Sequence, residues 1–353
     1  MSRFFTSRLS KLVPYVPGEQ PQDRKYLKLN TNESPFPPAP EVLKAVEEER
    51  RLQLYSDPES LKLRQTLAGR YGLTAEQVMV TNGSDEALTF AFMAFGDDDA
   101  PLVYPDITYG FYPVLADLLR IPSRTVPLDG DFRIRPEDYY DAKGTVVIAN
   151  PNAPTGMLLP VEAIEGILAS DPDRVVVVDE AYIDFGGVSC IPLIKKYPNL
   201  LVTRTFSKSR SMAGARLGFA VGNEALIGDL NTLRYSTNPY NVNSLTLALG
   251  LGTVLEESYT QRNCAEIIRV RELTAERLKA LGFRLTDSKA NFLFARSDRI
   301  SGGELYRKLK ERGVLVRHFD KPRIDDYNRI TIGTEAQMDA LVEAIEAILE
   351  ERT

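Results

Sequence analysis

From residue 77 to residue 222 the chain repeats one alternation. A short apolar run, rich in Val and Ile and bounded by Gly, Pro or Asn, gives way to a longer stretch of helical period. Residues 77–81, 100–104, 144–149, 174–179, 200–204 and 217–222 read as strands, and 84–95, 110–119 and 161–169 as helices between them. Positions 175–178 are four consecutive valines, which suits a strand covered on both faces. Strands of that kind separated by helices specify an α/β fold with a mostly parallel sheet.

After residue 243 the pattern changes to long helical stretches through 281, followed by short strands at 291–295, 314–317 and 329–332. A last helix starts at Thr334, where Thr334 and Gln337 form a capping-box pattern. Its apolar residues Met338, Leu341, Val342, Ile345, Ile348 and Leu349 keep the i, i+3, i+4, i+7 spacing of a core-facing helix. Prolines at 14, 17, 21, 35, 37, 38 and 40 make the start of the chain an extended arm. The expected division is an arm over 1–40, a large domain over 41–245 and a small domain over 246–353. The arm is expected to lie on the small domain or on a second subunit.

The chain has 353 residues, of which 43% are hydrophobic and 26% charged, a balance that builds a core. That length matches two domains at roughly 100–200 residues each. Lys and Arg number 43 against 49 Asp and Glu, a net charge of −6 that argues against a nucleic-acid partner. No apolar run approaches the roughly 18 residues of a membrane helix, and the N-terminus lacks a signal-peptide core, so a cytoplasmic protein without a membrane partner is expected. Cys190 and Cys264, with no C-x-x-C, exclude a disulfide framework and a thiol zinc site. His318 is the single histidine, which excludes Ser-His-Asp hydrolysis and H-E-x-x-H zinc chemistry. No metal is expected, and proton transfer falls to Lys, Asp or Tyr.

Neither G-x-x-x-x-G-K-[ST] nor a complete G-x-G-x-x-G is present, which disfavours P-loop and nicotinamide enzymes. Unusual polar residues instead follow the strands, where ligands bind in parallel α/β sheets. Thr205-Phe206-Ser207-Lys208 follows the strand at 200–204, and Arg216 comes eight residues after Lys208. A Lys so placed is either a solvated surface group or an amine that forms a Schiff base with an aldehyde cofactor. Asp179 closes the valine strand, where a carboxylate is desolvated unless a cation meets it. It is a structural ion pair, a helix cap, or the partner of a protonated pyridine nitrogen. Tyr182, three residues on, can hydrogen-bond a ring substituent. In the turn Asn150-Pro151-Asn152-Ala153-Pro154-Thr155-Gly156 the amide of Asn152 can meet a phenolate oxygen. Thr81-Asn82-Gly83-Ser84-Asp85-Glu86 joins a strand to a helix with Ser84 as the expected N-cap, a natural phosphate site.

Taken in order, these motifs resemble the fold-type I pyridoxal-phosphate (PLP) aminotransferases over nearly the whole chain. The resemblance implies a large PLP-binding domain with a mostly parallel seven-stranded sheet, a smaller α+β domain, and a homodimer. It implies that Lys208 forms the Schiff base with PLP and shuttles the Cα proton of the substrate. Asp179 would keep the pyridinium protonated, Tyr182 and Asn152 would bind the 3′ oxygen, and Tyr109 would stack on the ring. The phosphate would fall to the backbone at Ser84 and Asp85, the hydroxyls of Thr205 and Ser207, and Arg216, with Tyr55 reaching it from the partner subunit. Thr205 stands where the family usually has Ser, and both supply a hydroxyl.

Leu12-Val13-Pro14-Tyr15-Val16-Pro17-Gly18 and Leu29-Asn30-Thr31-Asn32-Glu33-Ser34-Pro35 are similar to segments of the branch that handles histidinol phosphate, with Ser34 where Asn is common. For that branch the resemblance implies amino transfer between L-glutamate and imidazole-acetol phosphate. It places Arg317 and Arg329 towards the cofactor to take the anionic group of the substrate, with Tyr15 and Asn32 beside them. Aromatic amino-acid aminotransferases and threonine-phosphate decarboxylases share much of the pattern and remain alternatives. A non-catalytic PLP-binding regulator is disfavoured, because the chain has no room for a basic DNA-binding domain before its first motif. His318, next to Arg317, reads as structural.

Overall fold

The computed structural model describes residues 2–49 and 51–351. Met1, Arg50, Arg352 and Thr353 lie outside the described residues, so the outermost positions of the expected arm and tail do too. The arm contains a two-residue strand, β1 (Leu27–Lys28), and is followed by α1 (Pro40–Glu48) and α2 (Leu61–Tyr71). The alternating part then runs β2 (Val78–Thr81), α3 (Gly83–Phe95), β3 (Leu102–Pro105), α4 (Phe111–Leu119), β4 (Ser123–Val126), β5 (Thr145–Ala149) and α5 (Val161–Ser170). It continues through β6 (Val176–Asp179), β7 (Leu200–Thr205), β8 (Gly218–Gly222) and α6 (Glu224–Thr237). The rest comprises α7 (Ser244–Leu255), α8 (Glu257–Ala280), β9 (Phe283–Leu285), β10 (Phe292–Ser297), α9 (Gly302–Glu311), β11 (Val314–Leu315), β12 (Arg317–His318), β13 (Asn328–Thr331) and α10 (Glu335–Glu350).

The large sheet has seven strands in the order β2-β8-β7-β6-β5-β3-β4, and β8 alone runs against the others. Every residue of β2, β3, β5, β6, β7 and β8 is buried, the condition that the continuous apolar runs anticipated. Side chains alternate between two cores. Val146, Ile148, Val176, Val178 and Val202 pack with α2 and α5 on one face, and Val147, Val177 and Leu201 pack with α3, α4 and α6 on the other. Each such side chain contributes about 1.5–3 kcal/mol by leaving water. The edge strand β4 escaped the sequence reading because Ser123, Arg124 and Thr125 are exposed and carry no apolar signal.

The second sheet is antiparallel, with the order β12-β13-β10-β9. It shares a core with α8, α9 and α10, in which the six apolar residues picked out on the last helix are all buried. The capping box of Thr334 and Gln337 is formed. The expected strand at 314–317 is two strands, because its halves find different partners: β11 pairs in parallel with β1 of the arm, and β12 pairs with β13. α7 packs on α1 and α2, and its Val254, Leu247 and Leu251 join the core of the large sheet. The chain therefore passes to the second core with α8.

The arm rests on α9. Arg24 donates to the carbonyls of Lys310 and Glu311 at 2.6 and 3.0 Å, and Glu19 accepts from Tyr306 and Lys310. None of the helices among the described residues is long and apolar enough to cross a membrane.

Candidate active site

The carboxyl ends of β6 and β7, the N-terminus of α3, the arm and the second sheet enclose a cavity of about 600 Å³. From the large sheet it receives Ser84, Asp85, Tyr109, Asp179, Tyr182, Thr205, Ser207, Lys208 and Arg216. The arm adds Tyr15 and Asn32, and the second sheet adds Arg317 and Arg329. Of the residues singled out in the sequence, only Asn152 and Tyr55 lie elsewhere.

One end of the cavity is a cup of donors. The chain enters α3 through Gly83, whose φ of +75° favours glycine. A Cβ there would sit 2.8 Å from Arg216 Nη2, and a Cβ on Gly218 would sit 2.5 Å from the backbone at Gly83 and Ser84. These two glycines allow β8, the α3 entry and Arg216 to close on one another. Ser84 is not the N-cap: α3 begins at Gly83, and the Asn82 N–H is capped by Glu86 Oε2 at 2.7 Å, so Ser84 sits in the first turn with its N–H at the helix end. Thr205 Oγ1 lies 3.0 Å from Ser207 Oγ, and Arg216 Nη1 reaches Ser207 Oγ at 3.4 Å. Arg216 Nη2 meets Asp85 Oδ2 at 3.1 Å, and Tyr109 donates to Asp85 Oδ1 at 3.1 Å. Hydroxyls, a guanidinium and a helix N-terminus in one cup form an anion site.

Asp179 is 4% exposed, and among the described residues no cation pairs with it. Its Oδ2 accepts from Tyr112 at 3.0 Å and its Oδ1 from Thr203 at 3.2 Å. Burial raises its pKa to about 6, against the opposing pull of those hydroxyls. A carboxylate held this way and turned to a cavity calls for a cationic or N–H-bearing ligand group.

Lys208 Nζ donates to the Thr31 carbonyl at 3.1 Å and lies 5.8 Å from the centre of the Tyr182 ring. Burial, reinforced by Arg329, lowers its pKa to about 8, so a substantial fraction is neutral amine near pH 8. The Tyr182 hydroxyl accepts from Asn32 Nδ2 at 3.0 Å. Asn32 has φ +56°, and its side-chain oxygen accepts from Thr331 Oγ1 at 3.0 Å, which ties the arm to β13.

Arg329 and Arg317 are cross-strand partners in β13 and β12. Arg329 donates from Nη2 to the Asn30 carbonyl at 3.1 Å, while its buried Nε has no partner. Arg317 donates to the carbonyls of Pro17 and Val16 at 3.1 and 3.0 Å, so its guanidinium also holds the arm. Tyr15 packs edge-on against Tyr109 and Phe111 at 6.1 Å. His318 stacks on Tyr306 at 5.8 Å with Nδ1 3.4 Å from the Tyr327 carbonyl, away from the cavity lining.

Asn152 is buried in its turn, where its amide donates to the Ile107 carbonyl and to Thr155 Oγ1 and its oxygen accepts from Thr108. In this arrangement both amide hydrogens are spent on protein acceptors, one in the turn and one in the segment after β3. Tyr55 is 82% exposed and stacks on Tyr240 at 4.4 Å, beside a separate apolar concavity lined by Leu54, Leu247, Leu251 and Leu255. The sequence reading missed Thr31, Tyr112 and Thr203. Thr203 was accessible, since it lies opposite Asp179 in the β6–β7 register.

The donor set has the chemistry of a three-point holder: an anion cup, a buried carboxylate without a cation, and a weakly basic amine between them. A cofactor with a phosphate, a basic ring nitrogen and an aldehyde fits it, and the Arg329 guanidinium on the cavity wall adds a cationic group for a second anion.

Residues 24–345 match the model of the family described as aminotransferase class I and II. The chain is 48% identical over 347 residues to histidinol-phosphate aminotransferase 1 of Pseudomonas aeruginosa, covering 98% of this chain and 99% of that one. It is 49% identical over 354 residues to histidinol-phosphate aminotransferase of a Marinomonas species, covering 99% and 100%. Among solved structures it superposes on histidinol-phosphate aminotransferase from Sinorhizobium meliloti, determined in complex with pyridoxal-5′-phosphate, with TM-score 0.90, 24% identity, and 100% and 99% of the chains covered. At that identity the likeness concerns the fold.

Proposed function

The chain belongs to the class I and II aminotransferases, and on that footing we propose that it is a PLP-dependent histidinol-phosphate aminotransferase of histidine biosynthesis. It moves an amino group between L-glutamate and imidazole-acetol phosphate. The observation that carries this reading is the convergence of Lys208, Asp179, Tyr182 and the Arg216 cup on one cavity that also receives Arg329.

PLP, when bound, supplies an aldehyde that carries the amino group and a ring that takes up the electrons of the broken Cα–H bond. The protein does the rest. The backbone N–H groups at Ser84 and Asp85, the hydroxyls of Thr205 and Ser207, and Arg216 would hold the phosphate. Asp179 would hold the ring nitrogen and stabilise a proton on it, with the Tyr112 and Thr203 hydroxyls keeping its two oxygens in place. Tyr182, steered by Asn32, would offer its hydroxyl to the ring oxygen, and Tyr109 would stack on the ring. Asn152 shapes the loop beneath. With PLP in place, Lys208 Nζ would be the group that accepts the substrate Cα proton and gives it back during amino transfer. A buried amine with pKa about 8 is well matched to both acts near neutral pH.

Arg329, on the cavity wall, binds the phosphate of one substrate and a carboxylate of the other, assisted by Arg317 and Tyr15. The arm, the large sheet and the second sheet thus each own a share of the site. We also read the chain as a cytoplasmic homodimer in which Tyr55 reaches the PLP phosphate of the partner. Its 82% exposure and the exposed Leu54 and Leu255 beside it support that reading.

Purified protein incubated with PLP should turn yellow, and borohydride should fix the cofactor to the peptide bearing Lys208. Amino-group loss from histidinol phosphate should outpace that from phenylalanine, and threonine phosphate should not be decarboxylated. Faster reaction with phenylalanine would reassign the substrate, and a colourless protein would remove the PLP reading.

A further inference from the structure

On the face of β7 opposite Thr203 and Thr205 lies a cluster of buried charge that the chemistry above does not use. Arg204, 4% exposed, spans two carboxylates: Nη1 reaches Glu180 Oε2 at 3.2 Å and Nη2 reaches Asp184 Oδ1 at 2.5 Å. The second oxygen of Asp184 accepts from Ser209 Oγ at 2.5 Å. Glu180 also accepts from Ser189 Oγ and the Cys190 N–H, each at 2.6 Å. Burial alone would raise the Asp184 carboxyl, but the Arg204 and Arg210 guanidiniums and the Ser209 hydroxyl outweigh it and hold the group ionised.

The covalent positions of these residues give the cluster its meaning. Ser209 follows Lys208, Glu180 follows Asp179, and Asp184 comes two residues after Tyr182. Lys208, Asp179 and Tyr182 each have a near neighbour in the cluster behind them. A lysine side chain is long and flexible, so the backbone at its root decides where the amine can reach. On one side of Lys208 that backbone is held by the Ser207 N–H donating to Thr205 Oγ1 at 3.1 Å, and on the other by Ser209 donating to Asp184.

We propose that Asp184 is a positioning residue for Lys208: acting through Ser209, it fixes the turn that carries the amine against the turn that carries Tyr182 and Asp179, without touching substrate or cofactor. The proposal rests on the PLP reading, and it assigns a use to buried charge that a stability role alone would leave unrelated to turnover.

The test compares PLP-loaded wild type with Ser209→Ala, Ser209→Thr and Asp184→Asn. Ser209→Ala leaves the Arg204–Asp184 pair in place and should fold and bind PLP. Its kcat should fall about tenfold or more with KM within about threefold, because misplacement of the reacting amine acts on the chemical step. The visible circular dichroism of the bound chromophore, which reports how it is held, should change with it. Ser209→Thr keeps the hydroxyl and should recover most of both signals, and Asp184→Asn should resemble Ser209→Ala. If Asp184→Asn does not fold, the Ser209 pair decides alone. Wild-type kcat and dichroism in Ser209→Ala, or a Ser209→Thr variant no better than Ser209→Ala, would overturn the proposal. A wild-type chain that takes up no PLP overturns the functional reading first.

Discussion

The Tyr112 hydroxyl, fully buried on α4, donates to Asp179 Oδ2 at 3.0 Å. With Thr203 on the other oxygen, neutral groups serve a buried carboxylate where a cation would have served it better. The protein keeps a carboxyl at the floor of its cavity that costs stability until a ligand meets it.

Asp179 provides the first prediction. Its folded pKa of about 6 stands above its unfolded value, so between those two values the folded state holds a proton the unfolded state has lost. Stability attributable to this group therefore falls as pH rises through that window, and above about pH 6 the loss is complete, at up to about 3 kcal/mol. Asp179→Asn should raise the melting temperature of the cofactor-free protein at pH 8 and much less at pH 4.5, while PLP-dependent activity collapses. Thermal unfolding at the two pH values measures it, and an equal effect at both would refute the assignment.

Lys208 should show its lowered pKa directly. In the cofactor-free protein, acylation of its amine by a small reagent, followed by peptide mass spectrometry, should rise with a midpoint near pH 8. Arg329 lowers that pKa, so Arg329→Ala should move the midpoint upwards. A midpoint near the ordinary lysine value in the wild type counts against the proposed proton carrier.

The two arginines should separate in kinetics. Both line the cavity, but Arg329 spends one hydrogen bond on the Asn30 carbonyl, whereas Arg317 spends both Nη groups on the carbonyls of Pro17 and Val16. Losing charge-assisted bonds of about 1.5–3 kcal/mol predicts a KM for histidinol phosphate raised about 10- to 100-fold in Arg329→Ala. Arg329→Ala should weaken glutamate as well. Arg317→Ala should cost less and should leave the arm more sensitive to protease around residue 16.

Tyr55 should act across subunits. Lys208→Ala and Tyr55→Ala chains, each defective alone, form one intact site in a mixed dimer under the proposed arrangement. Mixing them under conditions of subunit exchange should restore activity at low PLP concentration. No recovery in verified mixed dimers would place Tyr55 outside the partner's site.

Much of the site was legible because it is local. The four valines at 175–178 announce a doubly covered strand, and Asp179, Tyr182, Thr205, Ser207 and Lys208 sit within a few residues of strand ends. What was not legible depends on approach between distant segments. The Thr31 carbonyl on Lys208 is a backbone acceptor that any residue would supply, and Tyr112 looks like one more aromatic in an apolar helix. Arg204 reads as a polar break in a strand until Glu180 and Asp184 are seen beside it. Asn152 shows the opposite limit: its motif is conspicuous, yet its two amide hydrogens go to Thr155 in its own turn and to the Ile107 carbonyl of the segment after β3.

The seam between the arm and β13 has a consequence for synthesis. Asn32 and Thr331 are joined by reciprocal hydrogen bonds although 299 residues separate them. At about 5–20 residues per second, roughly 15–60 s pass on the ribosome between the emergence of the two. During that interval the anion cup and the Lys208 turn can form, but the wall that shields them from water cannot. Nascent chains should thus expose an open, amine-bearing cleft until translation is nearly finished, and the wall carrying Arg317 and Arg329 is the last part of the site to be made.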